Sequence, residues 1–153
     1  MITLLQAEKI IDAIIARARE LKCRPISVVI VEPGAIVKAF KKEDSSAMLR
    51  FDMAMGKAFA SLALGRSSSL VRVRTEQRPL FMDFLFKASE DKIFAEGGGM
   101  LIRAADGALL GAVGVTGDTQ EQDEALAAHG IRAAGLKTDE DCVNLAHAVR
   151  LKN

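Results

Sequence analysis

The chain of 153 residues predicts a single α+β domain, one antiparallel sheet of about five strands flanked by helices. Three observations predict it. Half of the residues are apolar and 27% are charged, a balance that builds a core and excludes a disordered chain. Two segments read as β-hairpins, with turns too short for a parallel crossover. Helical spacing occurs before, between and after them, which excludes a repeating βαβ design.

The elements follow in order. Thr3 with Gln6 forms a capping box, and Leu4, Ile11, Ile14, Ile15, Ala18 and Leu21 recur at helical steps, predicting a helix over 4–22. Arg17, Arg19 and Lys22 suit its C-terminal end, and Pro25 forbids continuation. Residues 26–31 are nearly all apolar and mostly β-branched, as in a strand covered on both faces. Glu32-Pro33-Gly34 turns the chain into a second strand over 35–40. Ser46 is a candidate N-cap for a helix over 47–64, where Met48, Phe51, Met55, Phe59 and Leu62 make one stripe and Met53, Ala60 and Leu64 lie opposite. A helix apolar on both sides is covered from two directions.

Residues 65–96 are the least legible third. Gly65 and the three serines behind Arg66 read as a helix stop and a fresh cap, Arg72, Arg74 and Arg78 are spaced among Val71, Val73 and Thr75, and 80–86 holds three of the seven Phe. That Phe-rich run is a short buried helix or an interface. Beyond it, 100–104 and 109–116 form a second hairpin about Ala105-Asp106-Gly107. Asp118 with Glu121 is read as capping a helix to about 134, and Thr138 with Asp141 as opening a last one through Val143, Ala146 and Val149. The order is that of a profilin-like or PAS-like sheet.

Composition excludes several functions. A formal charge of +1 and the absence of Trp and Tyr argue against nucleic acid as a partner. No apolar run approaches the ~18–20 residues of a membrane span. The N-terminus has no basic segment followed by a long apolar one, so a cytosolic protein is expected. Cys23 and Cys142 fall in no C-x-x-C pattern and read as structural thiols, and two histidines are too few for a multi-histidine metal site.

Gly97-Gly98-Gly99, the run 109–117 with Gly111, Gly114 and Gly117, then Gln122-Asp123-Glu124 and Gly130 resemble the C-terminal signature of the GlcG/HbpS-like family. The segment Ala54–Ala60, centred on Lys57-Ala58, is similar to the family's other recurring stretch. The resemblance covers nearly the whole chain. It implies an oligomeric domain with a five-stranded antiparallel sheet, associated with haem binding or degradation, with cobalamin-related accessory domains and with catabolic operons. Two departures from the pattern bear on ligand use: Glu32 replaces the first-turn Asp, and Met100 replaces the Pro after the triple glycine.

Candidate site residues follow from both sources. Arg50 and Lys57 lie seven residues apart, about 20° out of register on one helix face. They face a ligand or are plain solvated cations, and the resemblance favours Lys57. Gly97, Gly98 and Gly99 opposite Gly117 let a ligand approach the backbone, or serve only turn and packing geometry. Asp123 or Glu124 beside Lys57 would make an acid/base pair. His129 is a haem ligand, a general base or a surface histidine, and haem needs only one axial ligand. His147 reads as structural.

Three functions are open at this level. The first is a cytosolic, homo-oligomeric domain holding haem or another small organic anion through Arg50, Lys57, Gly97, Gly98, Gly99, Gly117 and His129. The second is an enzyme acting on a small carboxylate or carbonyl metabolite with Lys57 and Asp123 or Glu124. The third is a scaffold without a pocket. Self-association is expected because the two-sided helix and the Phe-rich run offer more apolar surface than a monomer hides.

Overall fold

The computed structural model describes residues 1–142. The predicted terminal helix through Val149, and His147 with it, lie outside the described residues. The chain runs α1 (Leu4–Glu20), β1 (Ser27–Val31), β2 (Val37–Lys42), α2 (Arg50–Leu64), α3 (Ser68–Gln77), α4 (Pro79–Ala88), β3 (Gly99–Arg103), β4 (Leu109–Thr116) and α5 (Gln120–Ala133). The four strands are antiparallel in the order β2-β1-β4-β3. Two hairpins therefore meet through their inner strands, and β1 and β4 occupy the centre. Every residue of β1 is buried, as its apolar run predicts.

The sheet has four strands where about five were expected. Beyond β3 the ladder shrinks to one bridge, in which Arg103 and Lys137 exchange N–H···O bonds of 2.9 Å each way. The ill-defined third supplies helices instead. Ser67 stands at the N-cap position of α3 without a side-chain capping bond, Pro79 stands at the first position of α4, and Met82 with Val71, Ala60 and Ile93 forms a satellite core. A Pro at that position is preorganised for a helix and forfeits no hydrogen bond.

Two faces of the sheet carry different layers. Val28, Ile30, Val113 and Val115 point to α1 and α5, where Ile10, Ile11, Ile14, Leu126 and Ile131 complete the main core. Val29, Val31 and Ala112 point to α2 through Ala54 and Ala58. The capping box Thr3–Gln6 is present, with bonds of 3.0 and 3.1 Å. Two other caps differ from expectation. Ser46 donates to the Glu43 carbonyl (2.7 Å) while Leu49 precedes α2, and Thr119, not Asp118 with Glu121, accepts the Gln122 N–H at the start of α5. Asp118 is engaged elsewhere, accepting the Arg24 and Thr119 N–H groups. Among the described residues no helix is long and apolar enough to cross a membrane.

Candidate functional site

The position of Lys57 is decided by small residues. A side chain at Gly114 would run into the Ala54 carbonyl, and one at Gly99 into the Lys57 carbonyl. These bare positions let the α2 backbone lie directly on β3 and β4, which Ala54, Ala58 and Ser61 also permit. Lys57, on the same helix, is thereby carried beneath the sheet edge rather than into water. It is 3% exposed, so it is not a solvated cation.

The Lys57 ammonium donates to the Val115 carbonyl at 2.9 Å and to Asp123 Oδ2 at 3.1 Å. Asp123 stands in the first turn of α5, and its other oxygen accepts the Asp118 N–H at 3.0 Å. Both side chains are almost wholly buried, at 4% and 2% exposure. Burial lowers the Lys57 ammonium below its ordinary pKa, and the attraction of Asp123 opposes the shift. Burial likewise raises the Asp123 carboxyl, against the pull of Lys57. The pair ties α2, β4 and α5 together.

Gly98 lies directly against this lysine. With φ at +129°, it holds a conformation that L side chains rarely adopt, and an added Cβ would meet the Val115 carbonyl and sit 3.1 Å from both Cδ and Nζ of Lys57. The bare backbone thus makes room for the lysine chain, which fills the space itself. Gly99 N–H donates to Ser68 Oγ (2.7 Å), whose hydroxyl reaches the Glu96 carbonyl, so the start of α3 clasps the loop before β3.

The other predicted residues separate from this pair. Gly97 N–H donates to Gln120 Oε1 at 3.1 Å and faces an open cleft of about 290 Å³ between α3 and α5. Glu124 turns into the same cleft, accepting from Ser69 Oγ at 2.7 Å. Arg50 lies against Gly117 and donates to the Pro25 carbonyl at 3.1 Å. His129 is exposed on α5.

Sequence reasoning passed over Glu76 and Gln120 among the lining groups. Glu76, Glu121 and Gln120 border the cleft with Arg72, whose guanidinium is held by Glu76 (3.1 Å) and Glu96 (2.9 Å). The i,i+4 spacing of Arg72 and Glu76 was the one signal available. Arg72 thus pairs within its own chain, and the cleft is acidic. Arg74 and Arg78 stand over the Phe81 ring, at 6.0 and 4.3 Å from its centre. Among the described residues no group of three or more His, Cys, Asp or Glu is placed to hold a metal ion.

Comparison with known proteins gives the following. The family described as haem degrading protein HbpS-like matches residues 2–132. An uncharacterized 15.0 kDa protein from the dhaT-dhaS intergenic region of Citrobacter freundii is 29% identical over 126 residues, 82% of this chain and 87% of that one. The PduOC:heme complex superposes with a TM-score of 0.78 at 24% identity, covering 90% of this chain and 97% of the other. Klebsiella pneumoniae protein ORFY does so with 0.78 at 24% identity, over 88% and 90%.

Proposed function

The chain belongs to the HbpS-like family, and on that premise we propose that it is a cytosolic, self-associating domain that binds a small molecule, with haem as its ligand. The observation that carries this reading is the exposed imidazole of His129, a residue of the family-matched segment open to an incoming iron. A relative of the same backbone shape, PduOC, is known as a haem complex, which supports the same ligand. The free thiols of Cys23 and Cys142 suit a reducing compartment.

The cleft beside Gly97 is a poor match for haem. About 290 Å³ bordered by Glu76, Glu121 and Glu124 neither encloses a porphyrin nor attracts its carboxylates, and Arg72 is already paired. The same charges count against any small organic anion in that cleft. Haem would instead meet the outer face of α5, where His129 is exposed. Bound there, the iron would supply redox chemistry, and His129 would hold it in place. Lys57 and Asp123 serve as positioning residues that fix the start of α5 against β4.

Titration of the full chain with haemin tests this. A Soret band that saturates at a fixed stoichiometry and is lost in His129→Ala is the expected result. No saturable band in the wild-type protein overturns the haem reading, and an unchanged band in His129→Ala overturns the assigned ligand.

A second reading, acid/base chemistry on a small carboxylate or carbonyl metabolite, is favoured by the 3.1 Å contact of Lys57 and Asp123, whose opposed shifts bring their proton affinities closer. Glu124, bonded to Ser69, has no part in that pair. The reading requires α5 to open. Lys57→Arg, which keeps the charge, would then abolish turnover while leaving haemin binding intact.

A further inference from the structure

The outward side of α4 carries large apolar side chains beside the exposed Asp83–Lys87 ion pair. Leu80 is 88% exposed, Phe84 68% and Phe81 39%, while Met82 on the inner side is fully buried. Leu80, Phe84 and Ala88 fall at i, i+4 and i+8, forming one stripe along the helix. Charges stand at the two ends of that stripe. Arg78 precedes the helix, with Arg74 beside it over Phe81. Glu90 and Asp91 follow its end, with Lys92 next to them, and all three are exposed, leaving one net negative charge in that turn. Among the described residues Arg74, Arg78, Glu90 and Asp91 form no ion pair, so both signs remain available.

We infer that α4 is an interface between two copies of this chain, packed antiparallel about a two-fold axis at Phe84. This rests on the self-association proposed above and names the surface that performs it. The spacing supports the arrangement. Leu80 and Ala88 are each four residues from Phe84, so the axis sets each against the other across the interface, twice. Arg78 stands just before the helix and Glu90 just beyond it, so the antiparallel pairing brings each cationic end near an acidic one. A parallel pairing would place Arg78 against Arg78 and leave both acids unmatched, which costs free energy at a desolvated contact. Antiparallel helices also oppose their dipoles favourably. The interface is isologous, with the same patch used on both sides.

The test uses the full chain, measured by light scattering and sedimentation at micromolar concentration. Phe84→Glu should weaken self-association at this face by roughly tenfold or more, as expected for the centre of an interface. Arg78→Glu and Glu90→Arg should each weaken it, and the double exchange should restore it. Mild oxidation of Phe84→Cys should yield a covalent dimer absent from the wild-type control, a readout that needs no destabilising change. A monomeric wild-type protein would overturn the self-association reading itself. An oligomer unaffected by Phe84→Glu would overturn only the assignment to α4. Failure of the double exchange to restore assembly would overturn the antiparallel register.

Discussion

A lysine and an aspartate removed together from water are costly to keep, and each is tolerable only with the other. Lys57 and Asp123 meet this condition at 4% and 2% exposure, with the Val115 carbonyl taking a second ammonium proton and the Asp118 N–H bonding the other carboxylate oxygen. Lys57→Met leaves a buried carboxylate unpaired and should cost about 3–5 kcal/mol, whereas replacing both members with apolar residues should cost much less. A double-mutant cycle by urea unfolding measures this, and a single-variant loss below about 1 kcal/mol would contradict the pairing. Gly114 is as demanding for a steric reason. Gly114→Ala drives a methyl into the Ala54 carbonyl and should destabilise by about 1–3 kcal/mol, visible in the same unfolding curves. Asp118 adds a pH dependence. The Arg24 N–H first, then that of Thr119, hold its carboxyl below the ordinary range. A carboxyl lowered on folding stabilises the protein above its unfolded pKa, and that contribution disappears as pH falls through the folded value. Asp118→Asn should therefore flatten the acid limb of the stability profile, read by denaturation at stepped pH.

Among the elements, those written by local rules were legible. The capping box on α1 is one, and Thr3→Ala should cost about 1 kcal/mol in chemical denaturation, with no effect on ligand titrations. Both hairpins were legible for the same reason, since a turn of a few residues admits only antiparallel pairing. The stretch 65–96 was not. Alternating Arg and Val suggested no settled period, yet α3 forms there because Ser67 begins it and Val71 finds Met82 and Ile93 to pack on. Those partners lie on other elements, beyond the reach of a window along the chain. Helix α4 shows the opposite case. Its Phe-rich sequence allowed burial or an interface, and the molecule shows one buried side and one exposed one.

For the whole molecule, the arrangement joins two hairpins into one sheet through β1 and β4, with α1 and α5 on one face and α2 on the other. This layering brings Lys57 and Asp123, 66 residues apart, into contact. It also sends their neighbours apart, Glu124 to the cleft and His129 to the surface. The candidate site was thus legible as a set of residue types and illegible as a grouping. Lys57 was nameable from its stretch Ala54–Ala60, but a cation seven residues from Arg50 reads equally well as surface. Its burial follows from glycines on strands that the chain reaches some forty to sixty residues later.

Local chemistry in the amino-acid order was enough to determine the class of fold, the helix start at Thr3, the two hairpins and the family, because each depends on neighbours a few positions away. Tertiary structure alone decided that the glycines accommodate a lysine, that Asp123 rather than Glu124 receives its ammonium, and that the open cleft is acidic. The reason is physical: burial and charge pairing are properties of surfaces brought together by folding, and no interval along the chain encodes the distance between them.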